Sequence, residues 1–428
     1  MATTVPTAVR SLKEYRTSVG HQSVADIASL AKPLRGTRIL HLSTTPSRAE
    51  LSSTLSTLTS LLQDVGLKAE WRVIRTKPQQ ITANETLQRA LSGHFVRWTP
   101  ELAELWHDHS DDILGIPVKD YDFIVVHDAE LAGIIGGASC LDRAKRVRWI
   151  WHCHSDVSKT QPDVWNFLMR HTLQYDRRIV SSLEQAPSGS HNSYYTIPPN
   201  VDPLNLRNRD LPSKFIDSML KHYELDPSRP MILSVLGDAP DLHDISRIID
   251  GFLLAKDQVP ELQLLALVSG KPDDQQASRY SEFVEHKVGY GRDIHLAPVP
   301  DGIGNISINV FQRTAIAVIE SSQDEELTPT VLEAMWKGRP VIVGDVTAAR
   351  LGIEHGRNGC IARSAKEIGH QIIRLVESRV IGKTIGQAAR EQVRGNFLIT
   401  KLLDVYLTMM QEMANRESAS QSRLVAAR

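Results

Sequence analysis

Cysteine is scarce in this chain: Cys140, Cys153 and Cys360 are the only three among 428 residues. They are widely spaced, so no two of them form a close metal-binding pair, and an odd number does not build a disulfide framework. This pattern excludes the small disulfide-stapled domains of secreted proteins. We expect a protein of a reducing compartment, the cytoplasm.

Long apolar runs and an excess of either charge are also lacking. No stretch approaches the ~20 consecutive apolar residues that a membrane-spanning helix needs, and residues 1–10 lack the charged start and apolar core of a signal peptide. The formal net charge is -1, so no basic field indicates nucleic-acid binding. We expect no membrane and no nucleic acid among the partners, while the oligomeric state, a homodimer included, stays open.

The length and the strand pattern together predict two domains. A chain of 428 residues exceeds one ordinary core. Short apolar strands alternate with amphipathic helices on both sides of residues 197–203, IPPNVDP, whose prolines fit neither a helix nor a central strand. Such alternation builds a parallel sheet with helices on both faces. The predicted fold class is α/β, with two doubly wound Rossmann-like domains, residues 1–199 and 200–395, facing a cleft.

One motif of the second domain combines two carboxylates with a helix start. Residues 325–343 are EELTPTVLEAMWKGRPVIV; Glu325 precedes a short loop, and Glu333 lies on a helix predicted over 330–337, with Gly338 after its last turn. A helix N-terminus offers free N–H groups and the positive end of the helix dipole, which suit an anion. The pair fits a bound phosphate ester, or else it is an acidic loop without a ligand; spacing alone favours neither.

The same residues resemble a known family. Glu325, seven residues, Glu333 and then AMWKGRPVI are similar to the donor-site motif of retaining glycosyltransferases of the GT-B fold (glycosyltransferase family 4 type), above all the trehalose synthases. The resemblance implies that Glu325 lies by the donor sugar and that Glu333 holds the ribose of the nucleotide. It further implies a diphosphate contact from the loop and the first helical turn, at Glu326, Leu327, Thr328, Thr330 and Val331. It also implies an acceptor domain first, a donor domain second, and a last helix within 396–428 that crosses back to the first domain before a frayed tail.

Two histidines and a cysteine follow a predicted strand at 147–151. His152, Cys153 and His154 invite a zinc interpretation, but neighbours on an extended segment point to opposite faces, so we predict no metal there. The resembled family has Trp-Arg-Cys-His-x-Asp at this place. The resemblance implies that His154 contacts the donor sugar and that Asp156 belongs to the site, with Cys153 left to packing.

A second polar pair ends the apolar run at 123–126. We expect His127 to be a structural histidine and Asp128 to contact an acceptor hydroxyl, because ligands of such sheets bind beyond the carboxyl ends of the strands.

Two loops depart from the resembled family. Its glycine-rich loop after the first strand reads TPSRAE here, and side chains keep the backbone from approaching a ligand closely. Either Ser47 and Arg48 bind something else there, which we take to be the acceptor, or the loop binds nothing.

The other departure follows the strand at 230–235, where the family places an arginine and a lysine on the diphosphate. An ungapped comparison puts Leu236 and Asp241 at these positions. Three outcomes stay open: weak donor binding, with Gly237 and Asp238 by the donor; compensation by other cations; or no diphosphate site. The cations that we expect to compensate are Lys271 and Arg350.

The resemblance implies a retaining glycosyltransferase that uses a nucleotide sugar and a small-molecule acceptor, with no metal or other cofactor. The two departures favour a specialised-metabolite acceptor, including a thiol as in lincosamide assembly with ergothioneine; trehalose-type transfer ranks equally. A catalytically silent relative that binds a sugar or a partner protein is the alternative from another class, and a phosphorylase is a third.

Overall fold

The computed structural model describes residues 2–7, 9–44, 49–107, 115–138, 147–155, 157, 160–181, 194–223, 225–236, 242–268, 274–288, 293–298, 304–320 and 329–426. The chain divides into two compact units. The first comprises Met1–Pro199 together with Ile399–Arg428, and the second comprises Asn200–Leu398. Each unit is built on one sheet with helices around it, which confirms the predicted α/β class with two parallel-sheet domains.

The first unit holds a seven-stranded sheet in the order β1-β3-β2-β4-β5-β6-β7. All neighbouring strands pair in parallel except β1, which runs antiparallel to β3. A strand such as β4 is buried along its whole length, as parallel strands covered on both faces are. The strands are Ala2–Thr4 (β1), Arg38–Thr44 (β2), Lys68–Ile74 (β3), Phe123–His127 (β4), Arg148–His152 (β5), Arg177–Val180 (β6) and Tyr194–Thr196 (β7).

The helices of the first unit come from both ends of the chain. The last helix, α16, belongs to this unit and contacts the early helices α2 and α3. The helices are Arg16–Val19 (α1), His21–Ala31 (α2), Ala49–Asp64 (α3), Ile81–Leu91 (α4), Pro100–His107 (α5), Ile134–Ala138 (α6), Pro162–Thr172 (α7) and Ile399–Ala426 (α16).

The second unit holds a six-stranded, wholly parallel sheet in the order β10-β9-β8-β11-β12-β13. Counted within the unit, this is the order 3-2-1-4-5-6 of the dinucleotide-binding fold, so the direction of winding reverses between β8 and β11. The strands are Met231–Leu236 (β8), Gln263–Val268 (β9), Ile294–Pro298 (β10), Ala317–Glu320 (β11), Val341–Val343 (β12) and Cys360–Ile361 (β13).

Eight helices surround the second sheet in the described part of the chain. They are Ser213–His222 (α8), Leu242–Lys256 (α9), Asp274–Val288 (α10), Gly304–Thr314 (α11), Pro329–Trp336 (α12), Asp345–Leu351 (α13), Ala365–Glu377 (α14) and Arg379–Asn396 (α15). None of the described helices of either unit is long and apolar enough to span a membrane.

Helix α12 ends at the glycine that its sequence predicts, and helix α15 packs against this end. Gly338 has a φ of +70°, a value that favours glycine, and its N–H donates to the Met335 carbonyl at 2.9 Å. Behind this turn α15 passes so closely that a Cβ on Gly386 would lie 2.0 Å from the Gly338 carbonyl oxygen. The Arg390 guanidinium of α15 also lies over the Trp336 ring, 4.8 Å from its centroid. The position of α12 is therefore fixed by packing.

Two local predictions from the sequence are wrong. The sequence from Gly344 to Arg350 predicts a loop, but this segment is helix α13, because Asp345 in its first turn complements the helix dipole and Ala348 and Leu351 are buried. The sequence at 309–313 predicts a helix that starts at Asn309, but helix α11 starts at Gly304. Helix α16 continues to Ala426, and the fraying of this tail stays a prediction.

Candidate functional site

Four histidines of the first unit meet at the carboxyl side of its sheet. Strands β2 and β4 are neighbours although β3 separates them in sequence, and such a switch in winding is where ligands bind in α/β sheets. His41 lies on β2, His127 ends β4, His152 ends β5, and His154 follows two residues later. We call these four residues the histidine cluster.

Direct hydrogen bonds link three of the four rings of the histidine cluster, and the fourth ring stacks on one of them. The Nδ1 atom of His41 lies 3.0 Å from Nε2 of His127, and Nδ1 of His127 lies 2.8 Å from Nε2 of His154. His152 stacks on His154 with ring centroids 3.9 Å apart, and its Nδ1 lies 2.6 Å from the hydroxyl of Tyr406 on α16. His41, His127 and Tyr406 are completely buried, while His154 is half-buried.

Burial keeps the inner rings neutral. It lowers the pKa of His41 to about 3 and the pKa values of His127 and His152 well below their ordinary 6.5, with the charge of His154 as the next cause. Burial likewise raises the pKa of Tyr406 far above its usual range, so this phenol keeps its proton. At physiological pH the three inner rings, His41, His127 and His152, are therefore neutral donors and acceptors.

Cys153 does not share the environment of His152 and His154, the two histidines beside it. The Cys153 thiol is buried and donates to the Ser155 carbonyl at 3.6 Å. His152 and His154, two positions apart, share one side, as alternate residues of an extended segment do. Cys153 is thus a packing residue.

A third histidine reaches His152 and His154 from the neighbouring strand. His127, His152 and His154 each bring a ring nitrogen within 4.8 Å of the others, the one group of three potential metal ligands among the described residues. Two ligand nitrogens on a tetrahedral zinc with bonds of about 2.0–2.1 Å lie about 3.3 Å apart. The 2.8 Å between His127 and His154 is a hydrogen-bond distance instead. As they stand, the rings form a hydrogen-bonded chain, and the absence of a metal here stays a prediction.

Asp128 stands beside the cluster in an unusual backbone conformation. Its φ is +69°, in the left-handed region that few non-glycine residues adopt. Its N–H donates to the His152 carbonyl and its carbonyl accepts from the Trp151 indole, both at 3.0 Å. Strained backbone of this kind is concentrated at functional sites. This location agrees with the expected acceptor contact, which stays a prediction.

In the second unit, Glu333 is buried on α12 and paired with an arginine that the sequence pattern did not reveal. The Nε of Arg207 donates to both carboxylate oxygens of Glu333, at 2.8 and 3.0 Å. Only 5% of the Glu333 side chain and 15% of the Arg207 side chain are exposed. A carboxylate is rarely buried without such a partner. Arg207 therefore pairs with the buried carboxylate and fixes the orientation of Glu333.

A lysine ties α12 to its surroundings. Lys337 follows α12 directly, and its ammonium donates to the side-chain oxygens of Asn208 and Gln312, both at 2.7 Å, and to the Glu333 carbonyl at 3.3 Å. Gln312 in turn donates to the Thr330 carbonyl at 3.0 Å in the first turn of α12. These contacts join both ends of α12 to the segment that carries Arg207.

We expect Lys337 to make the stability of the protein rise with pH. Burial, opposed by Glu333, lowers the pKa of Lys337 from 10.5 to about 7. Between these two pKa values the unfolded chain binds a proton that the folded chain does not, so the free energy of unfolding increases with pH by at most about 1.4 kcal/mol per unit. Urea denaturation of wild type and Lys337→Met from pH 7 to pH 10 measures this contribution. The stability difference should move in favour of wild type as the pH rises; a constant difference would contradict the lowered pKa.

The other predicted site residues fall into three groups. Thr330 and Val331 are buried in the first turn of α12, and Arg350 is half-buried in the last turn of α13. Leu236, at the end of β8, is buried in the apolar cluster of the second unit with Ile245 and Ile248. This side chain packs in the core and cannot bind phosphate as an arginine would. Ten predicted residues lie outside the described part of the chain: Ser47, Arg48, Asp156, Gly237, Asp238, Lys271, Glu325, Glu326, Leu327 and Thr328.

Each of the two units matches the model of a known protein family. Residues 41–187 match the family model of the trehalose synthase N-terminal domain, and residues 244–378 match that of glycosyl transferases group 1. Trehalose synthase from Pyrococcus horikoshii is 30% identical over 407 residues, which cover 94% of this chain and 97% of that protein. Nothing in these comparisons supports transfer to a thiol.

Solved structures share the fold. A structure described as trehalose-6-phosphate from E. coli bound with UDP-2-fluoro glucose has a TM-score of 0.65 at 12% identity, covering 87% of this chain and 98% of that one. The Anabaena protein HepE in complex with UDP and glucose has a TM-score of 0.61 at 16% identity, covering 88% and 99%. At these identities the likeness concerns the fold, which is the GT-B fold of glycosyltransferases.

Proposed function

Because the chain belongs to the trehalose synthase family of glycosyltransferases, we propose that it moves a hexose from a nucleoside-diphosphate sugar to a small-molecule acceptor with retention of the anomeric configuration. The observation that carries this proposal is the buried carboxylate of Glu333, which α12 presents and Arg207 holds by both oxygens. Helix α12 follows β11, one of the two strands at the switch point of the second sheet.

Glu333 keeps the capacity to grip a ribose. A carboxylate offers about four lone-pair positions, and the Nε–H of Arg207 lies against both oxygens from one side. The remaining lone pairs accept hydrogen bonds from the two ribose hydroxyls. Arg207 meanwhile compensates the buried charge and keeps the carboxylate correctly aimed.

The start of α12 suits the diphosphate. Pro329 occupies the first position, where a helix needs no N–H, and the following N–H groups lack intrahelical partners. These donors and the positive end of the helix dipole stabilise the charge that develops on the leaving diphosphate. The bond from the anomeric carbon to the diphosphate oxygen breaks, and the bond to the acceptor oxygen forms on the same face. The acceptor proton passes to a diphosphate oxygen, so the transfer needs neither a metal nor a separate base.

We assign His154 to the donor sugar and Asp128 to the acceptor. Asp128 lies at the switch point of the first sheet, at the carboxyl end of β4, and His154 lies beyond the carboxyl end of the neighbouring strand β5. Glucose is the acceptor that we favour, because the similarity to a trehalose synthase extends over nearly the whole of both chains.

A screen of donors and acceptors tests the proposal. The purified chain is incubated with the glucose conjugates of UDP, ADP, GDP and TDP, each with glucose, other sugars and thiols, and the products are identified by mass spectrometry. We expect a disaccharide with glucose as acceptor. Tight binding of nucleoside diphosphates in calorimetry without any transfer would support the catalytically silent relative instead.

Replacing Asp241 tests whether the diphosphate lies near the loop after β8. Where the resembled family has a lysine, this chain has an acid. Two like charges ~6 Å apart repel by about 3 kcal/mol at an effective dielectric of 20, and by less once solvent screens them. We therefore expect Asp241→Asn to tighten nucleoside-diphosphate binding at low salt, with a smaller gain at high salt. Unchanged calorimetric affinity at low salt would mean that the diphosphate is held elsewhere. The companion change Leu236→Arg is unsuitable, since it would bury a guanidinium in the apolar cluster.

A further inference from the structure

The histidine cluster contains a hydrogen-bonded chain with one closed end. The chain runs from His41 through His127 to His154. At the inner end, Nε2 of His41 is buried and has no hydrogen-bond partner among the residues that the structure describes. At the outer end, His154 is the half-buried member. Because each hydrogen bond sets the direction of the next, the position of the proton on His41 determines the position of the proton on His154.

Only two proton arrangements satisfy both contacts. A neutral imidazole has one N–H donor and one acceptor nitrogen, and burial keeps the inner rings neutral by lowering their pKa values. In the first arrangement, His41 donates from Nδ1 to His127, and His127 donates from Nδ1 to Nε2 of His154. In the second, both hydrogen bonds are reversed, and His41 carries its proton on Nε2.

The closed end favours the first arrangement. In the second arrangement the Nε2–H of His41 is a buried donor without a partner, and orphaned buried N–H groups are rare in native proteins. In the first arrangement the same nitrogen is an unshared lone pair, a defect that interiors contain more often. The proton of His127 then lies on Nδ1, and Nε2 of His154 is an acceptor.

We propose that His41 and His127 are positioning residues that fix His154 as the neutral tautomer with its proton on Nδ1. The hydrogen bond at one ring nitrogen determines the protonation of the other. With Nε2 accepting the bond from His127, His154 carries its proton on Nδ1. The consequence for transfer rests on the proposed function: His154 donates to a substrate oxygen and does not remove a proton, which agrees with a diphosphate that receives the acceptor proton itself.

A neighbouring ring supplies an internal reference with the opposite tautomer. Tyr406 keeps its proton, and its buried hydroxyl bonds to Nδ1 of His152. Donation to that nitrogen gives the hydroxyl proton a partner, whereas accepting from His152 would leave it without one among the described residues. His152 then carries its proton on Nε2. His152 and His154 thus stack on one another in opposite tautomers, at a centroid distance of 3.9 Å.

Ring-nitrogen NMR of the full chain tests this assignment without any substrate. Histidine labelled with ¹⁵N gives distinct long-range correlation patterns for the two tautomers and for imidazolium, and single histidine variants assign the signals. Near neutral pH we expect His154 protonated on Nδ1 and His152 on Nε2. A His154 proton on Nε2, a doubly protonated His154, or metal-shifted signals that a chelator reverses would each overturn the proposal. The wild-type spectrum decides even where a variant does not fold.

Variants of His127 connect the tautomer to turnover. His127→Phe removes the donor and keeps a ring, so His154 should change tautomer and kcat should fall about tenfold, the worth of one hydrogen bond, with the KM for the donor nearly unchanged. His127→Asn places an amide N–H where Nδ1–H was, and it should restore both the tautomer and most of kcat. The matched control is His171→Asn, a half-buried histidine whose ring packs on Trp106, His107 and Phe167 and not on the cluster, and it should change neither the His154 tautomer nor kcat. A His127→Phe protein that loses activity with the His154 tautomer intact would contradict the proposal. If no nucleotide sugar is turned over, the proposed function fails, while the spectra still decide the tautomer.

Discussion

Replacing His154 with alanine should lower kcat about a hundredfold while the affinity for free nucleoside diphosphate stays as in wild type. We assign the imidazole to the donor sugar, where a hydrogen bond that strengthens as charge develops acts on the transition state and not on ground-state nucleotide binding. The ring is half-buried and held from one side by His127, so it is oriented before substrate arrives. Steady-state kinetics and calorimetry on the same preparation measure the two quantities.

A fall in kcat without a loss of nucleotide affinity would identify His154 as a residue that contacts the donor sugar. An equal loss of turnover and nucleotide affinity would place His154 at the nucleotide or show a collapsed site. Unchanged kcat would remove His154 from the sugar. Chelators should affect neither wild type nor variant, because we assign no metal to His127, His152 and His154; activity lost to a chelator and restored by zinc would reverse that assignment.

Glu333 should give the second large effect, on nucleotide affinity. A carboxylate that accepts two ribose hydroxyls contributes ~1.5–3 kcal/mol, so we expect Glu333→Gln to weaken nucleoside-diphosphate binding about tenfold and Glu333→Ala up to about a hundredfold. The choice of sugar should change much less. Calorimetric titration with nucleoside diphosphates and with the free base tests this, because the free base lacks the ribose and should bind both variants alike.

The partner arginine makes the two variants differ in stability. Alanine leaves the guanidinium of Arg207 buried without its carboxylate, and breaking a buried pair costs about 3–5 kcal/mol. Glutamine keeps an oxygen for Arg207, so Glu333→Gln should unfold at a urea concentration closer to wild type. The matched control Glu377→Gln, an exposed glutamate of α14, should leave affinity and stability unchanged. Wild-type affinity in Glu333→Ala would show that this carboxylate does not hold the ribose.

The local chemistry of the sequence was enough to predict the scaffold. Apolar strands such as β4 read directly as buried parallel strands, and Gly338 marks the end of α12, because strand burial and helix ends depend on residues close together in the chain. The predicted loop at 344–350 failed because helix α13 is stabilised by burial of Ala348 and Leu351, which sequence spacing does not report.

The site was predictable only in part, because its decisive contacts join distant residues. Arg207 lies 126 positions from Glu333, and Tyr406 lies 254 positions from His152. In the sequence only Cys153 and His154 stand next to His152, whereas β4 pairs in register with β5 and brings His127 opposite His152. Sheet order, which no local pattern encodes, creates the histidine cluster.

The most direct test of the account follows the anomeric carbon itself. A nucleotide-activated glucose labelled with ¹³C at the anomeric position is mixed with the protein and unlabelled glucose, and ¹³C NMR is recorded over time together with the amount of released nucleoside diphosphate. We predict that the α signal of the donor is replaced by an α-linked disaccharide signal, with one nucleoside diphosphate released for each product. A β-linked product, hydrolysis to free glucose alone, or a donor that persists unchanged would contradict retaining transfer by this chain.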